Sequence, residues 1–186
     1  LVVSGKYAYI TGLNGDDLSI VDISDPRKPI VKSIYQTGAS AGYINGVYVS
    51  GRYAYLTSFN TSTGFQIVDI SNPVAPVYKS SVTSTNLKPI EVQVSGNYAY
   101  ILSSFDENKL QIIDISRVDQ PTTTGILSLP GNPYDIKVSG KYAYVTVVNG
   151  VPGLYVIDIS SPENPVLADS YLLDSALGVD VSGNNI

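Results

Sequence analysis

SGKYAYI at residues 4–10 returns as SGRYAYL at 50–56, SGNYAYI at 95–101 and SGKYAYV at 139–145. Ser-Gly occurs again at Ser182, so the markers are Ser4, Ser50, Ser95, Ser139 and Ser182, spaced by 46, 45, 44 and 43 residues. A second phrase keeps step: LSIVDIS (18–24), FQIVDIS (65–71), LQIIDIS (110–116) and LYVIDIS (154–160). From the serine of SG to the aspartate of this phrase is 18 residues in the first copy and 19 in the others. The length drift therefore falls after the aspartate. A period of about 40–50 residues is the mark of propeller blades or helical arrays.

The local pattern excludes helices. Before each SG the chain alternates, as in Val47-Tyr48-Val49 and Ile136-Lys137-Val138. That is a period of two, the period of a strand. The Tyr-Ala-Tyr strand follows, with both tyrosines on one face and the alanine on the other. Next comes a strand apolar on both faces, Leu18 and Ile20 pointing one way and Val21 and Ile23 the other. Such a strand lies between layers. Proline then recurs in SDPRKP, SNPVAP, SRVDQP and SSPENP, stopping the strand and shaping a turn. The third copy has Arg117-Val118 in place of the first proline, which points to a looser corner there. A more variable strand closes each repeat.

Each repeat thus reads as four antiparallel strands: A (ending at SG), B (YAY), C (VDIS) and D. The expected fold is all-β, a β-propeller of four-stranded blades. The blades run approximately over 1–41, 42–87, 88–132 and 133–176, with a partial fifth strand A at 177–186. Large residues on one face of strand B and a small one opposite let successive blades nest. The chain begins and ends in an A strand, so its two ends are not expected to complete one blade. The expectation is four blades of a larger ring of six to eight, or blades from separate chains completing a ring or filament.

The C-strand text resembles the LVIVD repeat, carried by Leu18–Ser24, Phe65–Ser71, Leu110–Ser116 and Leu154–Ser160 together with the SG-x-YAY hairpins. The resemblance implies a propeller in a secreted or surface-displayed protein of bacteria or archaea. It implies no activity, because the repeat residues are architectural.

Composition narrows the function classes. The 186 residues are 44% hydrophobic and 15% charged, which fits a globular domain with a sizeable core. Net charge is −5, and Lys and Arg are scattered singly. This argues against nucleic acid and anionic lipid as partners. No apolar run approaches the roughly 18 residues of a membrane span. Cysteine and histidine are absent, which removes disulfides, thiolate metal sites and the commonest proton shuttle. Methionine is absent too and no leader is visible, so the chain reads as a processed product or a piece of something longer.

Several candidate sites stand beside plainer readings. Asp22, Asp69, Asp114 and Asp158 recur in every blade and could form a ring of ligands. The plainer reading is that each accepts backbone N–H groups of the turn just beyond it. The YAY tyrosines suit packing better than a carbohydrate cleft. Tyr43, Tyr48, Tyr134 and Tyr171, placed in or near the D-to-A connections, are the better binding candidates because the repeat does not explain them. Two acidic B-to-C loops, with Asp16, Asp17, Asp106 and Glu107, offer oxygen ligands for Ca²⁺ but lack the EF-hand spacing, and the plainer reading, a solvated turn, is preferred. Four residues before each Ser-Gly stand Gly46, Glu91, Asp135 and Gly178, near the start of strand A, where blades converge. Glu91 and Asp135, with Asp180 as helper, could serve acid–base or metal chemistry in a hydrolase or lyase, or simply line a salt-bridged channel mouth.

The sequence therefore supports a non-catalytic extracellular or cell-surface module, with no resident cofactor, binding a protein, a surface polymer or itself. The competing reading is a propeller-fold hydrolase or lyase with a metal near the central channel.

Overall fold

The computed structural model describes residues 1–12, 17–37, 44–59, 64–83, 88–104 and 107–182. Among these, sixteen strands form four antiparallel sheets, each of four strands in chain order. The first sheet holds β1 (Val2–Ser4), β2 (Tyr7–Thr11), β3 (Asp17–Asp22) and β4 (Ile30–Gln36). The second holds β5 (Ile44–Ser50), β6 (Tyr53–Ser58), β7 (Phe65–Asp69) and β8 (Val77–Val82). The third holds β9 (Pro89–Ser95), β10 (Tyr98–Ser103), β11 (Lys109–Asp114) and β12 (Thr122–Ser128), and the fourth β13 (Pro133–Ser139), β14 (Tyr142–Val147), β15 (Gly153–Asp158) and β16 (Val166–Leu172). Each sheet is one repeat, and its A-B-C-D order is that of a propeller blade.

The Ser-Gly turns join A to B. Their glycines, Gly5, Gly51, Gly96 and Gly140, all sit at φ of 57–58°, the left-handed region that glycine enters without a Cβ penalty. Space is not the constraint, since a Cβ at these positions would meet nothing within 4 Å. The same turn is tied to strand C. The N–H of Ile23, Ile70, Ile115 and Ile159 donates to the carbonyl of Lys6, Arg52, Asn97 and Lys141 respectively, at 2.8–2.9 Å.

Every C–D pair carries a register shift, at Ile20/Val21, Ile67/Val68, Ile112/Ile113 and Val156/Ile157. The extra residue sharpens the twist of strand D and re-aims the side chain that follows it. The corner at Arg117-Val118 follows the same bend-and-turn path as the other three, so the missing proline does not alter it.

The chain divides into two compact units, residues 1–89 with 118–120, and residues 90–117 with 121–186. In the first, Tyr9, Leu18 and Ile20 of blade one pack with Val47, Ala54, Leu56 and Val68 of blade two. In the second, Tyr100, Leu102, Leu110 and Ile112 of blade three pack with Ile136, Ala143, Val145 and Ile157 of blade four. In both units the tyrosine face of one blade lies on the alanine face of the next. Leu18, Ile20, Leu110 and Ile112 are fully buried, each stabilising the fold by about 1.5–3 kcal/mol.

Beyond β16 the expected fifth A strand forms no ladder among the described residues, where Ser182 makes an isolated bridge.

Candidate functional site

The recurrent aspartates act on their own corners. Asp22 Oδ1 accepts the Ser24 N–H at 3.0 Å, Asp69 that of Ser71 at 3.0 Å, Asp114 that of Ser116 at 2.8 Å and Asp158 that of Ser160 at 2.9 Å. The serine side chain first and its N–H second hold Asp22 (at about 2), Asp114 and Asp158 below their ordinary acidity range, and for Asp69 the Arg52 guanidinium comes ahead of Ser71. Asp22 also meets Lys32 Nζ at 3.4 Å; Asp69 meets Arg52 and, at 3.7 Å, Lys79 Nζ. Lys32 and Lys79 are the extra residues of the bulges in β4 and β8.

The residue after each bulge reaches the next blade. Ser33 Oγ donates to the Pro73 carbonyl at 2.8 Å, and Ser80 Oγ to the Val118 carbonyl at 2.5 Å. At the third such position Gly125 lies so close that a Cβ would stand 2.1 Å from the Pro162 carbonyl oxygen. The fourth holds Asp169, which is exposed and accepts the Ser170 N–H at 2.8 Å. Sequence reading missed this series because strand D looks variable. Its signal is the offset from strand C once the bulge is allowed for.

Glu91 and Asp135 lie near the starts of β9 and β13. Glu91 Oε1 accepts its neighbour Val92 N–H at 3.1 Å. Burial is the main cause that pushes the Glu91 carboxyl up to about 7; the Val92 bond opposes it and the Asp135 charge adds to it. Asp135 spends both oxygens on backbone: Oδ1 accepts the Ile136 N–H at 2.8 Å and Oδ2 the Val179 N–H at 2.9 Å. Lys137 Nζ meets Asp180 at 3.4 Å. Asp135 and Asp180 thus seat the segment after β16 against blade four.

The remaining candidates are dispersed. Asp17 opens β3, and Glu107 pairs with Lys109. Asp16, Asp106 and Tyr43 lie outside the described residues. Among the described residues no three acidic, histidine or cysteine side chains converge as a metal site. Tyr48 lies within β5, half-buried opposite Tyr55. Tyr134 stands 53% exposed at the register shift of β13, and Tyr171 69% exposed within β16. All three lie within strands, Tyr134 and Tyr171 one residue from the strand ends that border the connections.

Strand positions across blade four place Tyr144, Val156 and Asp169 in one row and Thr146, Leu154 and Tyr171 in the next, on the tyrosine face. A cleft of about 390 Å³ runs over this face, lined by Thr146, Leu154 and the segment Leu173–Asp180.

Comparison with known proteins fits this architecture. The family model described as LVIVD repeat matches residues 1–37, 41–84, 90–127 and 130–173. No curated protein matches the sequence significantly. Among solved structures, a functionally unknown protein of Desulfotomaculum acetoxidans is similar at 16% identity and a TM-score of 0.76, over 99% of this chain and 59% of that one. A Bacteroides uniformis protein provisionally named a 6-phosphogluconolactonase gives 14% identity and a TM-score of 0.72, over 92% and 54%. The β-propeller domain of Cps50 (Swd1) from Myceliophteria thermophila gives 11% and 0.71, over 92% and 57%. The chain spans a little over half the length of these structures, and the likeness is one of fold.

Proposed function

The chain belongs to the LVIVD repeat family, and from that premise we propose that it is a non-catalytic propeller module that acts at a cell surface by binding other macromolecules. The observation that carries this reading is that the recurrent polar groups are engaged in architecture: the four repeat aspartates hold their corners and Asp135 holds backbone on both oxygens. A surface location is supported by the repeat resemblance.

One observation favours a second reading. Glu91, with its proton affinity near neutrality beside Asp135, has the character of an acid–base group in a hydrolase or lyase. The name of the Bacteroides uniformis protein suggests a sugar lactone as the substrate to try. The test is hydrolysis of 6-phosphogluconolactone with and without added Ca²⁺. The module reading expects no rate above the spontaneous one. Turnover abolished by Glu91→Gln would replace it with the enzymatic reading.

A further inference from the structure

Asparagine followed by glycine occurs at 14–15, 45–46 and 149–150. Asn14-Gly15 lies outside the described residues. The other two share the tripeptide Asn-Gly-Val behind a β-branched residue, INGV at 44–47 and VNGV at 148–151. Glycine has no Cβ, so the backbone nitrogen after the asparagine is open to approach the side-chain amide carbon. The two matched copies therefore have one intrinsic reactivity, and a difference between them has to come from the fold.

The fold treats the two copies differently. Asn45 is the extra residue of the bulge in β5. Its Nδ2 donates to the Pro89 carbonyl at 3.2 Å, and the buried Gly46 donates its N–H to Thr57 Oγ1 at 2.9 Å. Both reacting groups are tied down. Asn149 and Gly150 instead form the exposed tip of the hairpin between β14 and β15. Among the described residues no hydrogen bond engages the Asn149 amide or the Gly150 N–H. The connections on both sides of this hairpin are in place and leave the tip exposed. The Val148 N–H donates to the Asn132 carbonyl at 2.9 Å, and the Leu173 N–H to the Pro152 carbonyl at 3.1 Å.

We propose that Asn149 is a deamidation site and that the fold blocks the same step at Asn45. The Gly150 nitrogen gives up its proton to base and attacks Asn149 Cγ. A C–N bond forms, the Cγ–Nδ2 bond breaks and ammonia leaves. Water then opens the cyclic imide at either carbonyl. One opening gives aspartate; the other gives isoaspartate, with the main chain rerouted through the side chain. The second product does not fit the hairpin. A Cβ on Gly131 would stand 1.5 Å from the Asn149 carbonyl oxygen, and one on Gly150, at φ 83°, would stand 2.4 Å from the Pro130 oxygen. Backbone is thus packed on backbone at the tip. In the isoaspartyl form the Asn149 main-chain carbonyl becomes a free carboxylate, and the chain reaches Gly150 by a path longer by a carbon atom. Close-packed contacts of this kind do not absorb such a change, so the tip lifts from the connection at 130–132. Deamidation marks aged copies of the chain with a new charge and a loosened hairpin.

The experiment incubates the folded chain in warm, mildly alkaline buffer, beside a sample held unfolded in urea, and follows both asparagines by peptide mapping with mass spectrometry. In urea the two sites should react at similar rates. In the folded chain Asn149 should react at least tenfold faster than Asn45 and yield both aspartyl and isoaspartyl peptides. Equal rates in the folded chain, faster reaction at Asn45, or an inert Asn149 overturn the proposal. So does a matching difference in urea, which would move the cause from fold to sequence. The isoaspartyl fraction is then isolated and compared with Asn149→Asp, which carries the same charge on a normal main chain. Hydrogen exchange at the Val148 amide should be at least tenfold faster in the isoaspartyl fraction than in Asn149→Asp. Equal protection there would overturn the lifting of the tip.

Discussion

Asp135 holds Val179: its Oδ2 accepts the Val179 backbone N–H at 2.9 Å while Oδ1 accepts the N–H of Ile136 at 2.8 Å. One carboxylate thereby joins its own strand to a segment 44 residues on. Hydrogen bonds to a charged acceptor are worth about 1.5–3 kcal/mol each. Asp135→Ala is expected to release segment 174–181. Hydrogen exchange at Val179 would accelerate at least tenfold, with little change in β14 or β15. Unchanged protection at Val179 would show that something else seats the segment.

The post-bulge position offers a paired test of the joint between blades. Ser33→Ala removes one bond to the Pro73 carbonyl and should cost about 0.5–1.5 kcal/mol. Gly125→Ala places a methyl 2.1 Å from the Pro162 oxygen and 3.0 Å from Pro165 Cδ, so backbone has to move. Its cost should be larger, about 2–3 kcal/mol. Urea denaturation of both variants checks the order, and equal costs would contradict the close approach.

The corner aspartates should differ in weight. Asp69 is buried and combines the Ser71 N–H with Arg52 and Lys79. Asp114 is more exposed and holds the Ser116 N–H. Asp69→Ala should cost about 2–3 kcal/mol and Asp114→Ala about 1 kcal/mol, with the gap narrowing in high salt as the ion pairs are screened. Thermal melts at two salt concentrations measure this.

Stability should fall at both ends of a moderate pH range, for opposite reasons. The corner carboxyls are more acidic folded than unfolded. Their contribution is complete above the unfolded value of 3.8 and is lost as pH drops, for Asp22 toward about 2. Glu91 works the other way. Its proton is held up to about 7 against an ordinary 4.5, so the folded state binds the extra proton between those values. Stability is therefore lost as pH rises from 4.5 to about 7, by roughly 3 kcal/mol at most. Glu91→Gln should flatten that limb and leave the acid limb in place. A wild-type profile flat between pH 5 and 8 would refute the burial of this carboxyl.

The B and C strands were legible in the sequence because packing imposes one solution on every copy. Tyr9, Ala54, Ile67 and Ile112 sit where the period places them. The D strands were not, because their bulges shift the face by one residue and their outward positions accept many side chains. Ser33, Ser80, Gly125 and Asp169 share a place in the fold but no letter. The last A-type phrase, Gly178-Val-Asp-Val-Ser, has the letters of a strand yet makes a single bridge at Ser182 among the described residues, and pattern alone does not reveal that. The uses of Glu91 and Asp135 were equally hidden, since identical positions in the repeat hold a desolvated acid in one blade and a backbone clamp in the next.

The burial of both faces of the C strands is tested most directly by residue-resolved hydrogen exchange. All five residues of β7 are buried, whereas all seven of β16 are exposed. The amides of Ile67 and Ile112 should exchange only through global unfolding, and those of β16 orders of magnitude faster. Ile67 and Ile112 exchanging as readily as β16 would contradict it.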